Sequence, residues 1–119
     1  MSVKIDEIEK VLISEIKLTP LQAKTFLLVV KEGKMNAKVI ANKLGISVSD
    51  ANNAATSLVD LGGFIDITKT EFESMHPRFS AVNMYRRMCE RKKISFKRNL
   101  LVDNVGVVLE GPYDDARTK

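Results

Sequence analysis

Apolar residues recur every three or four positions through the first half of the chain, and this spacing predicts a series of amphipathic helices. A first helix is expected over residues 3–17 and a second from Pro20 to about residue 32. Thr19 and Gln22 form a capping-box pattern at the start of the second helix, and Gly33 follows its end as a typical stop. The buried face of the first helix is expected to hold Ile5, Ile8, Leu12 and Ile16.

Two further helices follow, each preceded by a residue that is typical of helix N-caps. Asn36 is expected to cap a helix over residues 37–44, and Ser47 a helix over residues 48–61. They are joined by Gly45-Ile46-Ser47, a short glycine-containing turn of the kind found in helix-turn-helix units. Their buried positions are predicted to be Val39, Ile40, Leu44, Ala51, Ala55 and Leu58.

Beyond Gly62-Gly63 the apolar spacing changes from helical to alternating. Residues 64–68 predict one strand, and a second strand is expected within residues 72–82, where Pro77 favours an edge position. The predicted fold is mainly α with a small β-hairpin, a winged helix-turn-helix with additional N-terminal and C-terminal helices. The second helix of the unit would enter the major groove and the hairpin would form the wing. A small all-α domain with an incidental hairpin is the alternative.

The segment LTPLQAKTFLLVVKEGKMNAKVIANKLGISVSDANNAATSLVDLGGFIDI resembles the N-terminal domain of TrmB-type archaeal transcription regulators, within the MarR-like and ArsR-like winged helices. The segment His76-Pro77-Arg78-Phe79-Ser80-Ala81-Val82 is similar to the family motif P-x-x-Y-x-A-V at the end of the wing. The resemblance covers about residues 13–83 and implies DNA binding and dimerisation. It rests on Leu18, Thr19, Ala23, Gly33, Ala37, Ile40, Ala41, Ile46, Ser49, Ala51, Leu58, Gly63 and Ile65.

The chain departs from that family in its recognition helix. Members often carry an Arg near the start of this helix and a Val-Tyr pair within it, whereas this chain has Val48, Ala51 and Asn52. The sequence also leaves no room for the sugar-binding C-terminal domain of longer members, so sugar sensing is not expected.

The positive charge of the chain is concentrated in one segment. The net charge is +4, but residues 78–98 alone carry eight Lys and Arg residues and one Glu. A basic block of this kind is typical of proteins that bind polyanions. A solubilising helix surface is the alternative interpretation.

Double-stranded DNA is therefore the expected partner. Because Asn pairs with adenine and hydroxyl groups bind several base edges, base contacts are expected from Ser49, Asn52, Asn53 and Thr56. The recognition helix has no Lys or Arg, so phosphate contacts are expected from Lys34, Lys38, Lys43, Lys69, Arg78, Arg86, Lys93 and Lys97. Asp50 and Asp60 on the same helix favour the alternative function, a winged-helix module that binds another protein of the transcription machinery.

Residues 84–110 are predicted to form a basic helical segment that is apolar on two sides and therefore buried on two sides. A homodimer is expected, helped by Ile5, Ile8 and Leu12 of the first helix. A break near Ser95 or Asn99 is the alternative to one continuous helix. One apolar stripe is Tyr85, Cys89, Phe96, Leu100 and Val107. The other stripe, expected to form the dimer interface, is Ile94, Leu101, Val105 and Val108.

The expected organisation is a winged helix over residues 1–83, the dimerisation segment over 84–110 and an irregular tail over 111–119. His76 is the only histidine and Cys89 the only cysteine, and no Ser-His-Asp set, paired carboxylates at catalytic spacing or phosphate-binding loop is recognisable. Neither an enzyme activity nor a metal or cofactor is expected. With no apolar run of membrane-spanning length and one cysteine that is predicted to be buried, a cytoplasmic location is expected.

Overall fold

The structure, a computed structural model, describes residues 5–118, with side-chain placement from Glu7 onward. The predicted helix start at residue 3 and the Ile5 side chain lie outside this part. The described chain is mainly helical with a small antiparallel sheet, as predicted. The helices are α1 (Ile5–Ser14), α2 (Pro20–Glu32), α3 (Ala37–Leu44), α4 (Val48–Leu61), α5 (Pro77–Lys92) and α6 (Leu100–Arg117). The strands are β1 (Met35–Asn36), β2 (Phe64–Asp66) and β3 (Glu71–Ser74).

The helix boundaries follow the capping residues that the sequence predicts. The Thr19 hydroxyl accepts a hydrogen bond of 3.1 Å from the Gln22 backbone N–H, and the Gln22 side chain accepts one of 2.9 Å from Thr19. The Ser47 hydroxyl accepts from the Asp50 backbone N–H at 3.0 Å. Gly62 ends α4 at a φ of 91°, a left-handed conformation that glycine adopts without strain.

Strand β3 lies at the centre of the sheet, with β1 on one side and β2 on the other. Phe72 is paired with Met35 of β1 and with Asp66 of β2. Strand β1 was not predicted, because two residues are too short to show an alternating pattern. The β2–β3 hairpin was predicted, but β3 ends at Ser74 and does not extend toward residue 82.

Helix α2 forms the centre of the core and packs against α1, α4, α6 and β3. Phe26 of α2 stacks on Phe64 of β2, with ring centroids 6.0 Å apart. Ile8, Leu12 and Ile16 are buried, which confirms the predicted apolar face of the first helix. Because the side chains of Ile8 and Leu12 are buried in this core, they are not available for the dimer interface that was predicted.

The C-terminal part differs from two predictions. Residues 84–110 are not one helix, because α5 ends at Lys92 and α6 begins at Leu100, so the alternative of a break is confirmed. Residues 111–117 are not irregular, because α6 continues through Pro112 to Arg117.

Contacts with the body of the protein hold the end of α6 in place. The Arg117 guanidinium lies 3.7 Å from the Tyr113 ring centroid and pairs with Glu73 of β3. The same guanidinium donates to the backbone carbonyls of Val29 and Val30 in α2. These tertiary contacts outweigh the loss of a helical hydrogen bond at Pro112. No helix within residues 5–118 has both the length and the apolar character needed to cross a membrane.

Candidate nucleic-acid interface

Helices α3 and α4 are joined by three residues, and their turn is fixed by backbone contacts. Gly45 has a φ of 69°, and the Ile46 N–H donates to the Ala41 carbonyl at 3.0 Å. The buried side of α4 consists of Ala51, Ala54, Ala55 and Leu58. The opposite side exposes Ser49, Asn52, Asn53 and Thr56. The predicted rotation of this helix is therefore confirmed, with all four proposed base-contacting residues on one solvent-facing side.

Ser57 marks the end of this exposed surface. Its hydroxyl donates to the Ala54 carbonyl at 2.7 Å and accepts from the Gln22 side-chain amide at 2.9 Å. Gln22 is also the capping residue of α2. The Gln22 side chain thus caps the N-terminus of α2 and also binds Ser57 of α4. Helix α4 is therefore held on α2 by a side-chain hydrogen bond as well as by its buried apolar face.

A cleft of about 310 Å³ lies between the starts of α3 and α4 and the β2–β3 turn. It brings together three of the predicted residues, Lys38, Asn52 and Lys69, from three different elements. We call it the α4–hairpin cleft, and it is lined by Asn36, Ala37, Lys38, Val48, Asn52, Lys69 and Thr70.

Val48 is a lining residue that was not among the predicted contacts. It is 48% exposed although it is apolar. A signal for it exists in the sequence, because Val48 precedes Asn52 by four residues and therefore shares its side of the helix. The predicted buried residues of α4, by contrast, begin at Ala51.

Two other predicted phosphate contacts, Lys43 and Arg86, bind side chains of the protein itself. Lys43 pairs with Glu32 at 2.8 Å. The Arg86 guanidinium donates to the Asn83 side chain at 2.8 Å. Lys34 is exposed beside Gly33 and lies outside the lining of the cleft.

Arg78 was expected on the wing, but the structure places it in the first turn of α5. Its guanidinium donates to Glu110 of α6 at 3.1 and 2.9 Å. The reason is that Pro77 occupies the first turn of a helix, where its missing N–H costs nothing, and His76 acts as the N-cap. Arg78 therefore belongs to the contact between α5 and α6.

The basic segment around Lys93 and Lys97 lies at the C-terminal end of α5, away from the junction of this helix with β3. Lys93 ends α5 in a left-handed conformation, and Lys97 lies in the loop of residues 93–99. Both are exposed, whereas Arg98 pairs with Asp103 at 2.8 Å. This segment forms a second cationic surface that is built from different elements than the α4–hairpin cleft.

The prediction that Val105 contributes to a dimer interface is wrong. Val105 is fully buried within the chain, and Val108 is partly buried against the core. Ile94 and Leu101 are each 52% exposed. Residue 105 turns inward because the buried side of α6 is formed by Val102, Val105 and Leu109. The helix therefore presents its other side to solvent.

Other apolar residues of this region also face solvent, and they are not confined to one of the two predicted stripes. Leu100 is 71% exposed, Phe79 60% and Val107 51%, whereas Cys89 is buried as predicted. Two exposed apolar residues, Phe96 and Val107, line a groove of about 490 Å³ between α5 and α6. We call it the α5–α6 groove, and it is lined by Arg78, Val82, Tyr85, Phe96, Arg98, Asn99, Val102, Asp103 and Val107.

In comparisons with protein-family models, curated proteins and solved structures, nothing matches this chain. The functional interpretation therefore depends on the α4–hairpin cleft and the α5–α6 groove. Within the described part of the chain there is also no group of three or more His, Cys, Asp or Glu side chains that could hold a metal ion.

Proposed function

We propose that this protein is a DNA-binding transcription regulator of the winged helix-turn-helix class. In this proposal α3 and α4 form the helix-turn-helix, α4 is the recognition helix, and the β2–β3 hairpin is the wing. The observation that carries the proposal is the α4–hairpin cleft, which is lined by Lys38 and Lys69 together with Asn52 of α4. An α-helix of this size fits the major groove, and flanking cations suit the phosphates along its edges.

The chemistry of α4 suits base edges better than phosphates. Its solvent-facing side offers amides and hydroxyls without a cation, so its contacts are directional hydrogen bonds. The Ser47-capped start of α4 carries the positive end of the helix dipole, which favours an anion nearby. Affinity then comes mainly from Lys38 and Lys69, and sequence choice from the side of α4.

We further propose that the regulator is a homodimer that forms through the α5–α6 groove. Six of the large apolar side chains that face solvent lie on α5, on α6 or in the loop between them, and single exposed apolar residues elsewhere are ordinary. A two-fold dimer needs one surface that fits itself. In this proposal the exposed side chains of Phe96 and Val107, which line the groove, pack against the same residues of a second copy. The six residues are Phe79, Ile94, Phe96, Leu100, Leu101 and Val107.

The cytoplasm is the proposed location, since a DNA-binding regulator with a buried free thiol at Cys89 suits a reducing compartment.

The proposed function is tested by titrating the protein with mixed-sequence duplex DNA over a series of salt concentrations. We expect a linear decrease of log affinity with log salt, because cations of the protein displace counterions from phosphates. Lys69→Ala should weaken binding and reduce the slope by about one unit. Lys24→Ala is the matched control. It removes the same charge from a lysine that pairs with Glu9 of α1 at 3.1 Å and does not line the cleft.

A second candidate function is favoured by the two exposed carboxylates of α4, Asp50 and Asp60. They repel phosphates, and a helix face of this polarity also suits a basic protein partner. If the protein binds no duplex at low salt, the proposal of DNA binding is wrong. The same face should then be tested as a protein-docking surface.

A further inference from the structure

Val48 is an apolar side chain at the edge of an otherwise polar cleft. It is the first residue of α4, nearly half of its surface is exposed, and it lines the α4–hairpin cleft. The side chains by which α4 contacts the core include Ala51 and Ala55, which are fully buried, and not Val48. A β-branched residue in the first turn also adds little to helix stability. Single exposed apolar side chains are ordinary on a protein surface, but Val48 is the one among the described exposed large apolar residues that lines this cleft, together with Asn52.

Asn52 lies one helical turn after Val48 and lines the same cleft. Side chains four residues apart are neighbours on a helix surface, about 5–6 Å apart at their Cβ atoms. The Asn36 amide oxygen in this cleft accepts from the Val39 N–H at 2.9 Å and so serves as the N-cap of α3. The Asn52 amide is exposed, and an amide offers both donors and an acceptor to a ligand.

An apolar side chain next to an amide matches one kind of base pair in the major groove. Adenine presents an N7 acceptor and an N6 donor, which an Asn amide can bind together, and thymine presents a methyl group. A G·C pair has no methyl group, and it would place the cytosine amino group against an apolar side chain, leaving a polar group without a partner. The side chain of Arg, the usual partner of guanine, does not occur in α4.

We propose that the start of α4 reads an A·T base pair, with Val48 on the thymine methyl group and Asn52 on the edge of adenine. This inference rests on the proposed DNA binding by the α4–hairpin cleft. It adds Val48 as a residue that determines sequence preference.

The test begins with selection of a preferred duplex from a randomised library, followed by single-atom changes in that duplex. Replacing one thymine by uracil removes only the methyl group and should weaken binding about fourfold at one position, the factor expected for one buried methyl-sized group. Replacing the paired adenine by 7-deazaadenine removes the N7 acceptor and should weaken binding about tenfold.

Two variants separate the two contacts. Val48→Ala should lose the effect of uracil and keep the effect of 7-deazaadenine, and Asn52→Ala should show the opposite pattern. Val39→Ala is the matched control and should keep both effects. Val39 was predicted to be buried, but it is an exposed valine of α3 and does not line the cleft.

Three results would overturn the inference while leaving DNA binding intact. They are a selected library without an enriched A·T position, equal affinity after replacement of every thymine, or a uracil effect that persists in Val48→Ala. Absence of binding to every duplex at low salt would overturn both this inference and the proposed function.

Discussion

The Asn83 side-chain amide donates a buried hydrogen bond of 2.9 Å to the carbonyl oxygen of Gly62. Gly62 is the residue that ends α4, and Asn83 lies in the middle of α5. The bond satisfies a carbonyl at a helix end that would otherwise lack a partner. It also fixes the end of α4 against α5, and it thereby links the candidate interface to the C-terminal helices.

Replacement of Asn83 by Ala should therefore destabilise the fold. A buried group that loses its only partner costs about 1–3 kcal/mol, and Asn83 is only 7% exposed. The measurement is the free energy of unfolding from urea denaturation. Asn53→Ala is the control, because Asn53 is exposed on α4 and should change stability by no more than about 0.5 kcal/mol. Equal stability of the two variants would show that the hydrogen bond is not formed.

Gly106 allows α5 and α6 to approach each other closely. A Cβ atom at this position would lie 2.5 Å from the Arg78 Cα, a backbone atom that cannot move aside by rotating a side chain. Gly106→Ala should push the helices apart and destabilise the protein by about 1–3 kcal/mol.

Gly111 of the same helix provides the comparison for Gly106. A Cβ there would meet nothing within 4 Å. Gly111→Ala should change the free energy of unfolding by less than about 1 kcal/mol, since its gain in helix propensity is offset by crowding from Pro112. A Gly106→Ala protein as stable as the wild type would contradict the close contact.

Arg117 should contribute to stability although it lies near the end of the chain. Its side chain is 18% exposed, and its partner Glu73 is 19% exposed. Removing partly buried, charge-assisted hydrogen bonds typically costs about 1.5–3 kcal/mol, so Arg117→Ala should lower the free energy of unfolding by that amount. Arg98→Ala is a matched control. Its ion pair with Asp103 has an arginine side chain that is 80% exposed, and such pairs contribute less than about 1 kcal/mol.

Leu100→Glu should convert the proposed dimer to a monomer. The side chain is 71% exposed within one chain, so the substitution should not disturb the fold itself. Leu100 follows Asn99, which lines the α5–α6 groove, so in a dimer formed through that groove the substitution would bring a carboxylate to the edge of an apolar contact. Sedimentation equilibrium should give twice the chain mass for the wild type and for Ile67→Glu, an exposed position of the β2–β3 turn. A wild-type monomer at tens of micromolar would contradict the dimer.

The helices around the candidate interface could be predicted because their signals are local. Thr19, Asn36 and Ser47 cap helices through bonds to residues three positions later, and the sequence shows both partners. The rotation of α4 followed from the spacing of Ala51, Ala55 and Leu58. Lys38, Asn52 and Lys69 could be named for the same reason, since each lies at the exposed start or turn of a recognisable element.

The C-terminal part could not be predicted because its determinants are distant in the sequence. The side of α6 that is buried depends on its contacts with α2 and α5, and both predicted apolar stripes had the same helical spacing. Arg117 stabilises the end of α6 through residues of α2 and β3 that lie more than 40 positions away. The alternation that favours strand β1 extends over only two residues, and the partner that defines it is also remote.

The most direct test of the central claim is to map the DNA contact by backbone amide chemical shifts in the isotope-labelled protein. On addition of a short mixed-sequence duplex at low salt, we expect the largest shifts between residues 48 and 56 of α4, at Lys38 and in the β2–β3 turn around Lys69. The loop of residues 93–99 should shift less. Absence of shifts, or shifts confined to the basic segment around Lys93 and Lys97, would contradict the assignment of the α4–hairpin cleft as the DNA-binding surface.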